Sequence, residues 1–133
     1  MGERRRLTGV VFSDLGHGHS FMSLDWVQQT LREQLGFSPY PATLNLRLES
    51  GEQIETWKQV KDEVKGIEIS PPDASFCQAR CFLIEIEGRH RGAVLLPYVE
   101  DYPVDKIEVI APVRLKDELK VRDGERITLE FIE

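Results

Sequence analysis

The sequence contains no run of roughly 18 apolar residues, the length that a membrane-spanning helix needs, so we expect no membrane partner. Cysteine is scarce. Cys77 and Cys81 are too few for a disulfide framework, and too few to hold a metal ion by themselves. No apolar stretch follows the basic N-terminus, which therefore lacks the form of a secretory signal. These absences together predict a cytoplasmic protein.

Positive charge is also in deficit. Lys and Arg number 17 against 23 Asp and Glu, which gives a formal net charge of -6. A protein that coats nucleic acid needs a basic surface, so we expect no nucleic-acid partner. A small anionic ligand is compatible with this charge, because a few backbone N–H groups and one cation can hold a phosphate locally.

The chain does have enough apolar residues for a folded core. Its 133 residues are 41% hydrophobic, and no repeat or linker interrupts them. That length predicts a single domain over residues 1–133. No coiled-coil pattern or long apolar edge calls for a second copy, so we expect a monomer.

Alternating apolar residues and β-rich composition predict several short strands. They lie at residues 6–12, 43–48, 76–86, 90–96, 106–111 and 126–132. Residues 113–119 are predicted to form one or two helical turns. The pattern indicates a mainly β protein, a small β-barrel that carries one main α-helix.

One segment has a strong helical pattern. Apolar residues recur at helical spacing over residues 24–35. Ser23 is a suitable N-cap, and Gly36 provides a left-handed stop. The polar segment at residues 49–64, by contrast, is predicted to be irregular and anchored by Trp57.

Two glycines, Gly16 and Gly18, follow the first predicted strand in the turn-prone residues 13–18. Glycines at this spacing let backbone N–H groups approach a phosphate without interference from Cβ atoms. Most such pairs only form turns, so both interpretations stay open. The spacing matches neither a Walker loop nor a dinucleotide fingerprint.

Alternation in the second predicted strand places Thr43 and Asn45 on the face opposite the core. A hydroxyl and an amide oxygen on one face could share a hard cation such as Mg²⁺. That ion takes few protein ligands and completes its shell with waters and phosphate oxygens. The alternative is an ordinary polar face that points outward.

Glu108 is a carboxylate within a largely apolar strand. In apolar surroundings it could act as a general base. The alternative is an alternating strand whose Glu faces water.

The histidines and cysteines are predicted to be surface or structural residues. His17, His19 and His90 show no spacing typical of a metal site. Cys77 and Cys81 would lie about 13 Å apart along a strand, too far to form a disulfide. We expect them to be buried, unreactive thiols.

In their order along the chain, these features resemble the archaeal-type CTP-dependent riboflavin kinases. The similar blocks are Leu-Gly-His-Gly at 15–18, Gly-Phe-Ser-Pro-Tyr at 36–40, Thr-Leu-Asn-Leu at 43–46, Gly-Ala-Val-Leu-Leu-Pro at 92–97 and Ile-Glu-Val-Ile-Ala-Pro at 107–112. The combination of Gly-Phe-x-Pro-Tyr with Thr-Leu-Asn-Leu is the specific part. The resemblance covers nearly the whole chain except about residues 49–78.

The resemblance implies a six-stranded cradle-loop barrel of the riboflavin-kinase type. It also implies a phosphotransferase that moves a phosphoryl group from CTP to the 5′-hydroxyl of riboflavin and gives FMN. CTP and riboflavin are then the expected partners, and Mg²⁺ is the expected cofactor. Phosphoryl transfer needs positioning and charge neutralisation more than covalent catalysis.

The resemblance further implies a role for each candidate residue. Thr43 and Asn45 would hold Mg²⁺, and Glu108 would be the catalytic group that accepts the proton of the flavin hydroxyl. Glu100 and Glu108 would contact the flavin. The nucleotide would be bound by Leu15, Gly16, His17, Gly18, His19, Val113, Arg114, Leu115 and Lys116.

The alternative function is a non-catalytic module of the same fold that senses a nucleotide or a flavin. Two carboxylates favour it. Asp14 stands where the loop of the resembled family usually opens with Gly, and Glu100 stands where that family usually has a Thr that contacts the FMN phosphate. A carboxylate cannot donate a hydrogen bond to a phosphate unless it is protonated.

Overall fold

The strands of the protein form a closed barrel. A computed structural model describes residues 4–13, 21–72 and 78–132. The strands are β1 (Arg6–Phe12), β2 (Leu44–Arg47), β3 (Ile67–Ile69), β4 (Ala79–Ile86), β5 (His90–Pro97), β6 (Lys106–Ile110) and β7 (Arg126–Phe131). Among the described helices, none has the length and apolar character that a bilayer crossing requires.

All strand pairings of the barrel are antiparallel. Six strands follow one another in the order β4-β5-β6-β2-β1-β7, and β7 closes the ring by pairing with β4. β3 lies outside this ring and pairs with the first part of β4. The prediction of a mainly β, six-stranded barrel is confirmed, whereas β3 was not predicted.

The predicted main helix is present as α1 (Asp25–Leu35). Gly36 adopts φ +82° and its N–H bonds to the carbonyl of Arg32, so the left-handed stop is confirmed. The prediction of Ser23 as N-cap is wrong. The N-cap is Leu24, whose side chain makes no capping hydrogen bond.

The prediction of an irregular segment at residues 49–64 is also wrong, because α2 (Gly51–Glu63) occupies most of it. The Ser50 side chain caps this helix by accepting a hydrogen bond from the N–H of Gln53. Trp57 and Val60 are buried on its inner face, so the predicted anchor is confirmed. The indole of Trp57 contacts the rings of Phe82 and Phe131, with centroids 5.4 and 5.9 Å away.

The residues after β6 form a short helix, α3 (Leu115–Glu118), as predicted.

Two apolar clusters lie on the two faces of the barrel wall. The first holds inward residues of the strands together with Trp57 and Val60 of α2. The second joins α1 to the outer face of the wall. It consists of Met22, Val27, Leu31, Ile69, Ala79, Cys81, Ala93, Leu95 and Ile110. Both faces of β5 and β6 are therefore covered over much of their length.

Cys81 is buried in the outer cluster, as predicted, whereas Cys77 lies outside the described residues. Burial raises the pKa of the Cys81 thiol to about 12. The thiolate is the reactive form of cysteine, so this side chain is inert at neutral pH.

The Cys81 thiol gives the protein a predictable sensitivity to alkali. In a Cys77→Ser variant, the unfolded chain ionises Cys81 near the ordinary value of 9.0, while the folded chain holds the proton up to about 12. The contribution of the Cys81 thiol to the free energy of unfolding is therefore fully present below pH 9. It falls as pH rises from about 9 to about 12, by about 1.4 kcal/mol per pH unit at most. Denaturant unfolding of Cys77→Ser and of Cys77→Ser/Cys81→Ala across this range isolates the effect. Equal pH slopes for the two variants would contradict it.

Gly92 marks a close approach between β5 and β6. A Cβ atom added at Gly92 would lie 2.4 Å from the carbonyl oxygen of Ile110 and 2.9 Å from Cδ1 of Ile86. Because that carbonyl belongs to a paired strand, we expect Gly92→Ala to cost about 1–3 kcal/mol. Gly51→Ala, at the start of α2, meets nothing within 4 Å and is the matched control. Thermal unfolding of both variants tests this prediction, and an unchanged midpoint for Gly92→Ala would refute it.

Candidate functional site

Thr43 and Asn45 lie side by side on the outer face of the barrel wall. Leu44, between them, projects into the barrel interior. The Thr43 hydroxyl donates to the Oδ1 atom of Asn45 at 3.0 Å, and both side chains are half-buried. The predicted shared face is therefore present.

Glu108 lies opposite Asn45 across the β2–β6 pairing, so the two side chains occupy the same outer face. Its other neighbour across the wall is Leu95, which belongs to the cluster beneath α1. Glu108 is 9% exposed, so the interpretation of a strand whose Glu faces water is wrong. The hydroxyl of Tyr102 donates to Oε2 of Glu108 at 2.5 Å.

A cavity of about 130 Å³ opens beside Thr43. Its wall is formed by Tyr40, Ala42, Thr43, Leu44, Val109, Ala111, Val113, Arg114, Leu115 and Lys116. The four residues predicted at 113–116 to bind the nucleotide thus border the same cavity as one predicted metal ligand. The backbone N–H of Tyr40 bonds to the carbonyl of Ala111 at 2.7 Å, which fixes the two walls to each other.

The two cations at the cavity already have acidic partners. Arg114 contacts Asp117 at 2.7 Å, and Lys116 lies 3.5 Å from Asp123. Lys116 also donates to the Ser13 hydroxyl at 3.2 Å, and Ser13 donates to Asp123 at 3.0 Å. This Ser13 hydrogen bond, assisted by the charge of Lys116, holds the pKa of Asp123 below its ordinary value.

The remaining predicted residues either lie outside the described part of the chain or do not line the cavity. The loop residues Leu15, Gly16, His17, Gly18 and His19 lie outside the described residues. Glu100 is exposed in the turn between β5 and β6 and does not line the cavity. Residues 4–13, 21–72 and 78–132 contain no cluster of three or more His, Cys, Asp or Glu side chains that could hold a metal.

Sequence reasoning did not identify Tyr102, Ser13 or Asp123 as candidate site residues. Tyr102 lies in a turn with no periodic pattern, and its link to Glu108 depends on how that turn folds back. Ser13 and Asp123 meet only because their chain segments adjoin in the barrel. A single sequence carries no signal for such contacts.

Comparison with protein families gives one match that covers most of the chain. The family model for CTP-dependent riboflavin kinases, which carries the description of a domain of unknown function, DUF120, matches residues 11–131.

Curated relatives named riboflavin kinase are similar over nearly the whole chain. A protein of Archaeoglobus fulgidus is 38% identical over 130 residues, which cover 96% of this chain and 54% of the relative. One of Aeropyrum pernix is 36% identical over 128 residues, covering 94% of both chains. One of Methanoregula boonei is 40% identical over 132 residues, covering 97% of this chain and 58% of the relative. The chain thus spans about half the length of two of these relatives and nearly all of the third.

Proposed function

The chain belongs to the CTP-dependent riboflavin kinase family, and from this membership we propose that it transfers the γ-phosphoryl group of CTP to the 5′-hydroxyl of riboflavin. The products are FMN and CDP. The observation that carries the proposal is the pairing of Asn45 with Glu108 across β2 and β6. It puts a candidate metal ligand beside a candidate base on one face.

Glu108 is the group proposed to accept the proton of the flavin hydroxyl. In the reaction the hydroxyl O–H bond breaks and the proton moves to the carboxylate. The oxygen forms a bond to the γ-phosphorus, and the bond from that phosphorus to the bridging oxygen of CDP breaks. The burial of Glu108 beside Leu95 supports this role, because a carboxylate shielded from water keeps its acceptor oxygens free of competing solvent.

The donor set of Thr43 and Asn45 fits Mg²⁺. Mg²⁺ prefers hard oxygen donors, and the Thr43 hydroxyl and the Asn45 amide oxygen would supply two of them. The Thr43 hydroxyl and the Asn45 amide oxygen are 3.0 Å apart. Both side chains are neutral, so they would leave the full charge of a bound ion available to neutralise phosphate oxygens.

The cavity wall at residues 113–116 is the proposed nucleotide site, together with the predicted loop at 15–19. The contact of Lys116 with Ser13 supports this assignment, because Ser13 immediately precedes the segment that holds the loop. Arg114 and Lys116 can exchange their acidic partners for phosphate oxygens, and charge-assisted bonds of this kind are strong.

The test is FMN formation from riboflavin by the purified protein with Mg²⁺ and, separately, CTP, ATP, GTP or UTP. We expect the highest rate with CTP and loss of the rate when the metal is chelated. Tight binding of CTP or FMN by calorimetry without turnover would instead indicate the sensor module, which the exposed carboxylate of Glu100 favours. Absence of both activity and binding from a folded sample would falsify the proposal.

Substitution of Asn45 is expected to weaken the metal site. Asn45→Ala removes one oxygen ligand, so the Mg²⁺ concentration needed for half-maximal rate should rise about 10-fold or more. Titration of the rate with Mg²⁺ measures this effect. An unchanged Mg²⁺ requirement would show that Asn45 is not a ligand.

Substitution of Glu108 is expected to slow the chemical step. Glu108→Gln keeps the size of the side chain but removes the proton acceptor, so kcat should fall by about 100-fold or more. Calorimetry should show nucleotide binding largely unchanged. Glu130→Gln, which alters a half-buried carboxylate on β7, is the control and should retain the wild-type rate. A wild-type kcat for Glu108→Gln would remove Glu108 from the mechanism.

A further inference from the structure

Glu108 depends on a residue from a neighbouring turn for its orientation. Within the described residues, one side chain forms a hydrogen bond with this carboxylate. The hydroxyl of Tyr102 donates to Oε2. The side-chain neighbours in register are apolar Leu95 on β5 and Asn45 on β2. Oε1 has no hydrogen-bond partner within the described part of the chain.

A glutamate needs such a partner because its side chain has three rotatable bonds. Without a fixed contact, the carboxylate samples several rotamers, and few of them aim an oxygen at a bound substrate. One hydrogen bond to Oε2 restrains the carboxylate plane and leaves Oε1 available.

The position of Tyr102 is itself determined by the β5–β6 turn. Its backbone N–H bonds to the carbonyl of Val99 at 3.3 Å, and the preceding residue, Asp101, adopts φ +60°. The ammonium group of Lys106 lies 5.6 Å from the centroid of the Tyr102 ring, close enough for a cation–π contact. The turn is also fixed to the end of β2, since the N–H of Leu48 bonds to the carbonyl of Asp105 at 2.8 Å.

We propose that Tyr102 is a positioning residue for the phosphoryl acceptor step, an inference that rests on the proposed kinase function. Its hydroxyl holds Oε2 of Glu108, so that Oε1 faces the flavin hydroxyl and accepts its proton. Tyr102 keeps its own proton throughout. The proton released by the flavin resides on Oε1 of Glu108 until it passes to solvent, so the step balances.

Tyr102→Phe removes only the donating hydroxyl. We expect kcat to fall about 10- to 100-fold, the range typical of a lost positioning contact. The KM values for riboflavin and CTP should stay within about twofold, because the ring and the binding residues remain. The thermal unfolding midpoint, measured alongside, should fall by no more than several degrees, so that the variant stays folded during the assay.

Tyr98→Phe is the matched control. Tyr98 begins the same turn, and its hydroxyl donates to Oε1 of Glu68 at 2.7 Å, so the substitution also removes one phenol–carboxylate hydrogen bond. We expect a wild-type kcat. An equal loss in both variants would assign the effect to the stability of the turn and overturn the inference.

A double substitution separates positioning from direct substrate contact. In the Glu108→Gln background the base is already absent, so adding Tyr102→Phe should lower kcat by no more than about twofold. A full additional loss, or a raised KM for riboflavin with unchanged kcat, would show that Tyr102 acts on the substrate instead. If wild-type protein forms no FMN, the proposed function fails and the role of Tyr102 fails with it. If wild-type protein is active and Tyr102→Phe keeps its kcat, only the inference fails.

Discussion

Closure of the barrel by the pairing of β4 with β7 is the constraint on which the rest of the structure depends. A closed wall of this size has an interior filled by side chains, which here are apolar, so polar groups have to project outward. On β2, Leu44 therefore points inward and Asn45 outward. On β6, Val109 points inward and Glu108 outward. Strand register then decides which outward residues meet, and it sets Asn45 directly beside Glu108 although the two lie far apart in the sequence.

Local charge at the site differs from the charge of the whole chain. The net charge is -6, yet the cavity beside Thr43 is bordered by Arg114 and Lys116. Each cation is paired with a largely exposed carboxylate, which an incoming phosphate would displace and which water would then solvate. Repulsion from distant acidic residues is screened beyond about 8–10 Å at moderate salt. A triphosphate is therefore compatible with an acidic protein.

The sequence predicted those parts of the fold that short-range patterns determine. β-rich composition located β1, alternation located β2, and the helical spacing with Gly36 located α1. The sequence pattern did not predict α2, whose apolar positions are few and whose remaining surface is polar. This helix forms because Trp57 is buried in the barrel, which a local pattern does not reveal. β3 is too short for any alternation to show.

The candidate site was also predictable only where a short-range pattern determines it. Alternation was enough to put Thr43 and Asn45 on one face, because that depends on a single strand. It could not decide whether Glu108 is buried, since that depends on neighbours from other strands and turns, and it could not reveal the contact with Tyr102. The order of strands around the barrel also differs from their order in the chain. The neighbours of β2 are β1 and β6, which no local pattern indicates.

The pairing of β1 with β7 has a consequence for how the protein folds. The Thr8 and Thr128 hydroxyls are 2.9 Å apart, although 120 positions separate them along the chain. Such a contact raises the contact order, and high contact order slows folding because a long loop has to close before the contact forms. During ribosomal synthesis β2 and β6 both emerge before β7, so the strand pair that carries Asn45 and Glu108 is available before the barrel can close. Until then the inner face of that pair is exposed to water, which makes the partly synthesised chain the form most vulnerable to aggregation.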